Sequence, residues 1–276
     1  MKRYVNGDPL KRFGAFILDV LMIVFVSTIL YSIIGKALVN TRAFSEANQI
    51  MNEILVESYL YEYDESDPNI TKVVSEEKFE VVIKKYYVEV KQNEELYHEK
   101  MNSSNLFNLI DGEYEKREGV SDEDVINFYK EMMGEAIIEV KQNENYQFCY
   151  RLSLNFVIYN IIVSFLISYF AFIVFVPFAF KNRTTIGQRV MNLAIVDIES
   201  NKFATKTQIF FRSIIILLIE VLLSIFSFGV PILISFGFVL FNKNKCSYHD
   251  ILSSTKVIDY HYVELDDSKN DNAIKM

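Results

Sequence analysis

The chain has 276 residues, 51% of them hydrophobic and 23% charged, with a net charge of −8. Such a mixture suits apolar blocks joined to a soluble block better than one uniform domain. Residues 41–150 carry 25 acidic and 11 basic side chains, a net of −14, so the remainder of the chain stands at +6. The acidic block offers no basic face to nucleic acid. The two cysteines, Cys149 and Cys246, form no CxxC pair, and the three histidines lack ligand spacing, so neither a disulfide framework nor a zinc site is expected. There is no Walker loop, GxSxG, HExxH or GxGxxG, which argues against an enzyme and against a bound cofactor.

In chain order, residues 1–12 (MKRYVNGDPLKR) set four basic groups against Asp8. Phe13–Ile34 is then apolar apart from Asp19, a few hydroxyls and a tyrosine. As a helix this run measures about 33 Å, enough to cross a bilayer core. Its length and the lack of an A-x-A site disfavour a cleaved signal peptide. The basic flank predicts a cytoplasmic N-terminus, which puts residues 41–150 outside.

That insert reads as mostly helical. Phe44, Ala47, Ile50, Ile54 and Tyr59 recur at helical spacing, and Asp64–Asn69 is a break. Ser75 and Ser121 are expected N-caps, each followed by acidic residues and an apolar periodic run. Strand propensity in VVIKKYYVEV competes with the first of these helices. Both segments end in the same hexapeptide, EVKQNE, at 89–94 and 139–144. Either an internal duplication of about 50 residues or chance in a Glu/Lys/Asn-rich stretch explains it. Asn69-Ile-Thr and Asn102-Ser-Ser fit a glycosylation pattern too short to carry weight.

Leu152–Phe180 is the second expected span, with Ser153, Asn155, Asn160, Ser164 and Ser168 among apolar residues. The connector 184–206 has a strand-like run at Val190–Ile198, a turn signal at Glu199–Lys202, and Gly187 marking a tight turn or close packing. Gln208–Phe241 is interrupted by Arg212, Glu220, Gly229 and Pro231. Two short helices joined by a turn fit it, and basic flanks put both ends on one side. The resulting fold class is an all-α membrane protein of four transmembrane helices, with a large, mostly helical extracytoplasmic insert between helices 1 and 2. The expected parts are 1–40, 41–150, 151–258 and an acidic cytoplasmic tail, 259–276.

Three separated blocks, RFGAFILD (12–19), TIGQRVMNL (185–193) and HDILSSTKV (249–257), resemble those of RDD-family membrane proteins. The family takes its name from an arginine and two aspartates. Arg12 and Asp19 match, and Asp250 is the candidate for the second aspartate, whose position in the family varies. Arg212 resembles an arginine that often precedes the later helices. The resemblance covers roughly residues 9–38 and 152–258 and leaves out the insert. It implies the membrane fold and, for function, the ion or small-solute transport proposed for the family.

Asp19 is the foremost candidate residue, because an ionised carboxylate in a membrane helix costs at least about 2.5–3.5 kcal/mol. It reads either as a cation or proton site, or as a polar clasp to Arg212, Asn155, Asn160 or a tyrosine. Arg12 reads as a snorkelling anchor or a partner of Asp19, and Glu220 as a second ion-coupling carboxylate or an interfacial group. Asp250 reads as N-cap of Ile251–Ser254, and His249-Asp250 as a structural turn rather than a catalytic or metal pair. Two functions follow. One is transport of a small cation (proton-coupled) or solute by a homo-oligomer in the cell membrane, both termini cytoplasmic, with Arg12 and Arg212 tuning the site. The other is membrane anchoring of an insert that binds a protein partner.

Overall fold

A computed structural model describes residues 5–67 and 69–260; the acidic tail beyond Tyr260 lies outside the described residues. The chain is mostly helical and divides into two compact units. One gathers the described residues up to Ile34 with those from Asn160 onward, and the other is Gly35–Tyr159.

The first unit is built on apolar helices. Helix α1 runs from Pro9 to Val39, and its buried residues Ala15, Asp19 and Ile23 recur every four positions. They form one inward stripe, while Leu21, Val24 and Phe25 are exposed. A second rod comprises α6 (Glu144–Tyr169), a π-helical turn (Phe170–Phe175) and α7 (Val176–Ala179). A third comprises α9 (Lys206–Ile215), a π-helical stretch (Ile216–Leu222) and α10 (Leu223–Ser227). At 31, 36 and 22 residues, these three are long and apolar enough to cross a membrane.

Polar side chains fasten the rods where lipid supplies no hydrophobic drive. Asn160 donates to the Tyr31 carbonyl at 3.0 Å, and Ser164 donates to Asn160 at 3.3 Å. The Tyr169 hydroxyl donates to the Ser213 carbonyl at 2.7 Å. The third rod ends at Phe228 (φ 50°) and Gly229 (φ 84°), both left-handed, before α11 (Val230–Phe241) returns. The expected turn is therefore there, with one long leg and one short. The 12 residues of α11 span about 18 Å, short of the roughly 30 Å hydrocarbon core.

A small sheet gathers the chain's two ends. Strand β5 (Leu193–Asp197) pairs antiparallel with β6 (Thr255–Asp259), Leu193 opposite Asp259. The segment before α1 joins the same sheet, with Gly7 N–H donating to the Val257 carbonyl and Asp259 N–H to that of Val5, both at 3.0 Å. The expected local bend exists (Asp197 N–H to the Lys202 carbonyl, 2.8 Å), but the main partner of β5 lies some 60 residues on. Strand signals name no partner, so β6 was not anticipated. Two short helices complete this layer, α8 (Ile186–Val190) and α12 (Tyr248–Leu252).

The second unit contains α2 (Arg42–Glu57), β1 (Tyr61–Tyr63), β2 (Thr71–Val73), α3 (Phe79–Lys85) with a π-helical extension (Tyr86–Val90), α4 (Glu94–Ser103), β3 (Phe107–Ile110), β4 (Glu113–Lys116) and α5 (Asp122–Lys141). VVIKKYYVEV is helical, so burial of Phe79, Ile83, Tyr86 and Tyr87 on one face overrides its strand propensity. The break at 64–69 lies within a hairpin, β1 against β2.

Helix–hairpin–helix occurs twice, as α2–β1–β2–α3 and α4–β3–β4–α5, and the details correspond. Ser58 and Ser104 each donate back into the preceding helix (to Leu55 O, 2.5 Å, and Met101 O, 2.7 Å). Each also accepts from the leucine two residues on, Leu60 N (3.3 Å) and Leu106 N (3.2 Å). The residues between, Tyr59 (φ 65°) and Asn105 (φ 59°), are both left-handed. Each EVKQNE copy ends one helix and opens the next through its asparagine: Asn93 accepts from Leu96 N at 3.0 Å, Asn143 from Asn145 N at 2.9 Å. The two EVKQNE copies thus occupy equivalent places in a recurring helix–hairpin–helix pattern. One core of fifteen buried residues, including Leu60, Ile83, Met101 and Ala136, serves both repeats.

Leu60 is fully buried and Leu106, its counterpart, half-buried. Leu60→Ala should destabilise this unit by about 2–5 kcal/mol and Leu106→Ala by distinctly less. Trypsin cleavage rates within residues 41–150 of the full-length protein in detergent would show the difference; equal rates would contradict this account of the core.

Candidate functional site

The TIGQR block is built to receive Asp19. Thr185 caps α8, accepting from Gln188 N at 3.2 Å, while Gln188 Oε1 accepts from Thr185 N at 3.1 Å, a capping box. The Asp19 carboxylate then takes the Thr185 hydroxyl at 2.5 Å and the Gly187 N–H at 2.8 Å. Such closeness needs a residue without a side chain. A Cβ at Gly187 would lie 2.2 Å from the Ala15 carbonyl oxygen and 3.0 Å from Asp19 Cγ. The expected close packing at Gly187 is thus met. Asp19 is a clasp as well, but to the connector rather than to Arg212, Asn155, Asn160 or a tyrosine. Its partners are neutral donors.

A second buried cluster forms around Asp250, which is fully buried. Arg12 Nη2 donates to Oδ2 at 2.5 Å, Ser247 N to the same oxygen at 2.9 Å, and Arg212 Nη1 binds Oδ1 closely. Arg212 also donates to the Thr255 hydroxyl at 3.0 Å. The sequence predicts Asp250 as N-cap of Ile251–Ser254, but it lies inside the helix Tyr248–Leu252. Ser247 is the cap and Asp250 the third residue of its capping box, leaving its oxygens to both guanidinia. Arg12 does not snorkel: its side chain is 10% exposed and turns inward to Asp250 and the Lys245 carbonyl. Burial raises the Asp250 carboxyl, but the Arg212 and Arg12 guanidinia outweigh it and hold the group well below the ordinary carboxylate range.

Glu220 joins this cluster through His249, a link that sequence reading did not include among the site residues. Arg212 Nη2 faces His249 Nε2 at 3.0 Å, and a guanidinium can only donate. The hydrogen-bond network therefore assigns Nε2 as acceptor and places the imidazole proton on Nδ1, which meets Glu220 Oε1 closely. Ser235 of α11 donates to the same oxygen at 2.6 Å. Glu220 is 6% exposed, so it is a buried group rather than an interfacial one. The HD pair in the sequence was the available signal for His249. Its link to Glu220, 29 residues earlier, depends on the fold. Among the described residues no group of histidine, cysteine, aspartate or glutamate is arranged to hold a metal ion.

Both clusters border one cavity of about 620 Å³, which Arg12, Asp19, Arg212, Glu220 and His249 line together. Along α1 it extends from Arg12 to Val24, about 18 Å. Two guanidinia, Arg12 and Arg212, and the His249 imidazole stand among the three carboxylates Asp19, Glu220 and Asp250. Asp250 is matched twice over, whereas Asp19 has only neutral donors.

Gly187→Ala should unseat α1 from α8 and destabilise the protein by about 1–3 kcal/mol or more, read as a lowered Tm in detergent. Arg212→Ala leaves a buried carboxylate short of a partner, at a cost of about 3–5 kcal/mol. Because the folded Asp250 carboxyl lies below its unfolded value near 3.9, its contribution is fully present above that pH and fades only as pH falls further. The deficit of Asp250→Asn should therefore be constant from about pH 5 to pH 8; a deficit that grows across that range would contradict the double clamp.

The RDD family model matches residues 126–254. The match takes in the 185–193 block and the first part of the 249–257 block, begins inside α5, and leaves the Arg12–Asp19 block outside. No curated protein and no solved structure matches the chain. Apolar helices, a connector built around TIGQR and the buried aspartate of the HD block thus converge with that match: this is a membrane protein that carries an RDD family domain over residues 126–254.

Proposed function

We propose that the protein moves a small cation, coupled to protons, or a small solute through the cavity between Asp19 and Glu220. The observation that carries this reading is Asp19, a buried carboxylate on a membrane helix that lines the cavity and meets only two neutral donors, the Thr185 hydroxyl and the Gly187 N–H. An uncompensated carboxylate in a membrane helix costs at least about 2.5–3.5 kcal/mol, and a proton or cation arriving at Asp19 would offset that. Asp250 and its two arginines make a fixed brace; Asp19 and Glu220 are the groups left to exchange an ion. The reading assigns no catalysis.

In this reading α11 is the return leg of a thin or re-entrant hairpin, the fourth membrane helix, which brings the chain back to the sheet. Lys11, Arg183, Lys202, Lys243 and Lys245 all flank the sheet side of the rods, which supports a cytoplasmic sheet and cytoplasmic ends in the cell membrane. Four helices of this length make a narrow pathway, so the working unit is a homo-oligomer.

Flux into proteoliposomes, wild type beside Asp19→Asn, tests the proposal. A cation- or pH-gradient-driven flux that falls to the empty-liposome level in the variant is the expected result. A second reading, that the insert binds a protein partner and the helices anchor it, has its own support in a unit with a core of its own and a net charge of −14. No flux from folded wild type, with cellular function lost on removing residues 41–150 and kept in Asp19→Asn, would favour that reading instead.

A further inference from the structure

We propose that the cavity's ligand is an amphipathic monovalent cation, an organic ammonium- or phosphonium-type ion with an apolar body. Its charge would rest against the Asp19 carboxylate and its body against the apolar walls. The inference rests on the transport reading above and narrows it.

The size comes first: about 620 Å³ lies in the range that takes drug-sized molecules. Away from the charged groups the walls are apolar, formed by Val20, Ile23, Ile216, Val221 and Leu233. A hydrated inorganic ion would face hydrocarbon there, with nothing to replace its water. An apolar body gains from the same surface. Phe13, Phe16, Phe165, Tyr169 and Phe236 add aromatic rings to the lining, the kind of surface that attracts organic cations.

Charge selects the sign. Asp250 is held by two guanidinia and Glu220 by His249 and Ser235, while the Asp19 carboxylate meets only the Thr185 hydroxyl and the Gly187 N–H. A neutral lipid chain is the rival occupant. It would cover the walls but leave Asp19 uncompensated.

The test is equilibrium binding of radiolabelled tetraphenylphosphonium to the full-length protein in nanodiscs, with empty nanodiscs to subtract partitioning. Tetraphenylsilane serves as its neutral isostere. Saturable phosphonium binding is expected, about tenfold or more tighter than that of the neutral probe. Asp19→Asn should lose that preference, and Val221→Phe, which adds bulk to an apolar wall and keeps the Asp19 carboxylate, should weaken binding of both probes. Should Asp19→Asn fail to fold, the two probes on wild type still decide. Equal binding of the two, no saturable binding, or an unchanged preference in folded Asp19→Asn would overturn the inference. Inorganic cation flux without phosphonium binding would overturn it and leave transport standing. Phosphonium binding without any flux would keep this site and remove the transport reading.

Discussion

A fully buried aspartate between two arginines from distant parts of the chain sets the geometry of the membrane unit. Asp250 lies on a five-residue helix that could not persist alone. Arg12 comes from the first apolar helix and Arg212 from the third. Burying three charges is costly unless each is matched, and removing one partner costs more than the pair contributes. The clamp therefore acts less as a source of stability than as a fixed register: α1, the α9–α10 rod and α12 can meet in one way only.

Other contacts inherit that register. Once Arg12 is fixed, Asp19 lies two turns along α1, facing the Thr185 and Gly187 donors. With Arg212 fixed, Glu220 lies two turns along its own rod, within a π-helical stretch and against His249 of the clamp helix. Such stretches recur at functional sites because they re-aim side chains. The sheet of β5, β6 and the segment before α1 ties the same three parts together through backbone hydrogen bonds. The asymmetry that matters follows: one carboxylate is doubly matched by guanidinia, one is paired with an imidazole, and one has only neutral donors.

Much of this was legible in the sequence because it depends on local chemistry. Apolar runs gave the rods, Gly229 and Pro231 the turn, and Ser121 the cap of α5, whereas Ser75 precedes a 3-10 turn and makes no side-chain cap. The residues of the site were legible too, since an ionised group inside a membrane helix demands an explanation wherever it stands. Their partners were not. Asp19 to Thr185 spans 166 residues, Arg12 to Asp250 spans 238, and no periodicity encodes such pairings. That gap explains why Arg12 read as an anchor and Asp250 as a cap. For a related reason His249 read only as part of a structural turn, as a lone histidine acquires a role only from what the fold places beside it.

The central claim is that a cation entering this cavity changes the state of Asp19. Infrared difference spectroscopy of the carboxyl groups, recorded as cation is added to the reconstituted protein, addresses it directly. The account predicts a carboxylate band that shifts with cation binding and is missing in Asp19→Asn. No cation-induced carboxyl change, or one that persists unaltered in the variant, would contradict it.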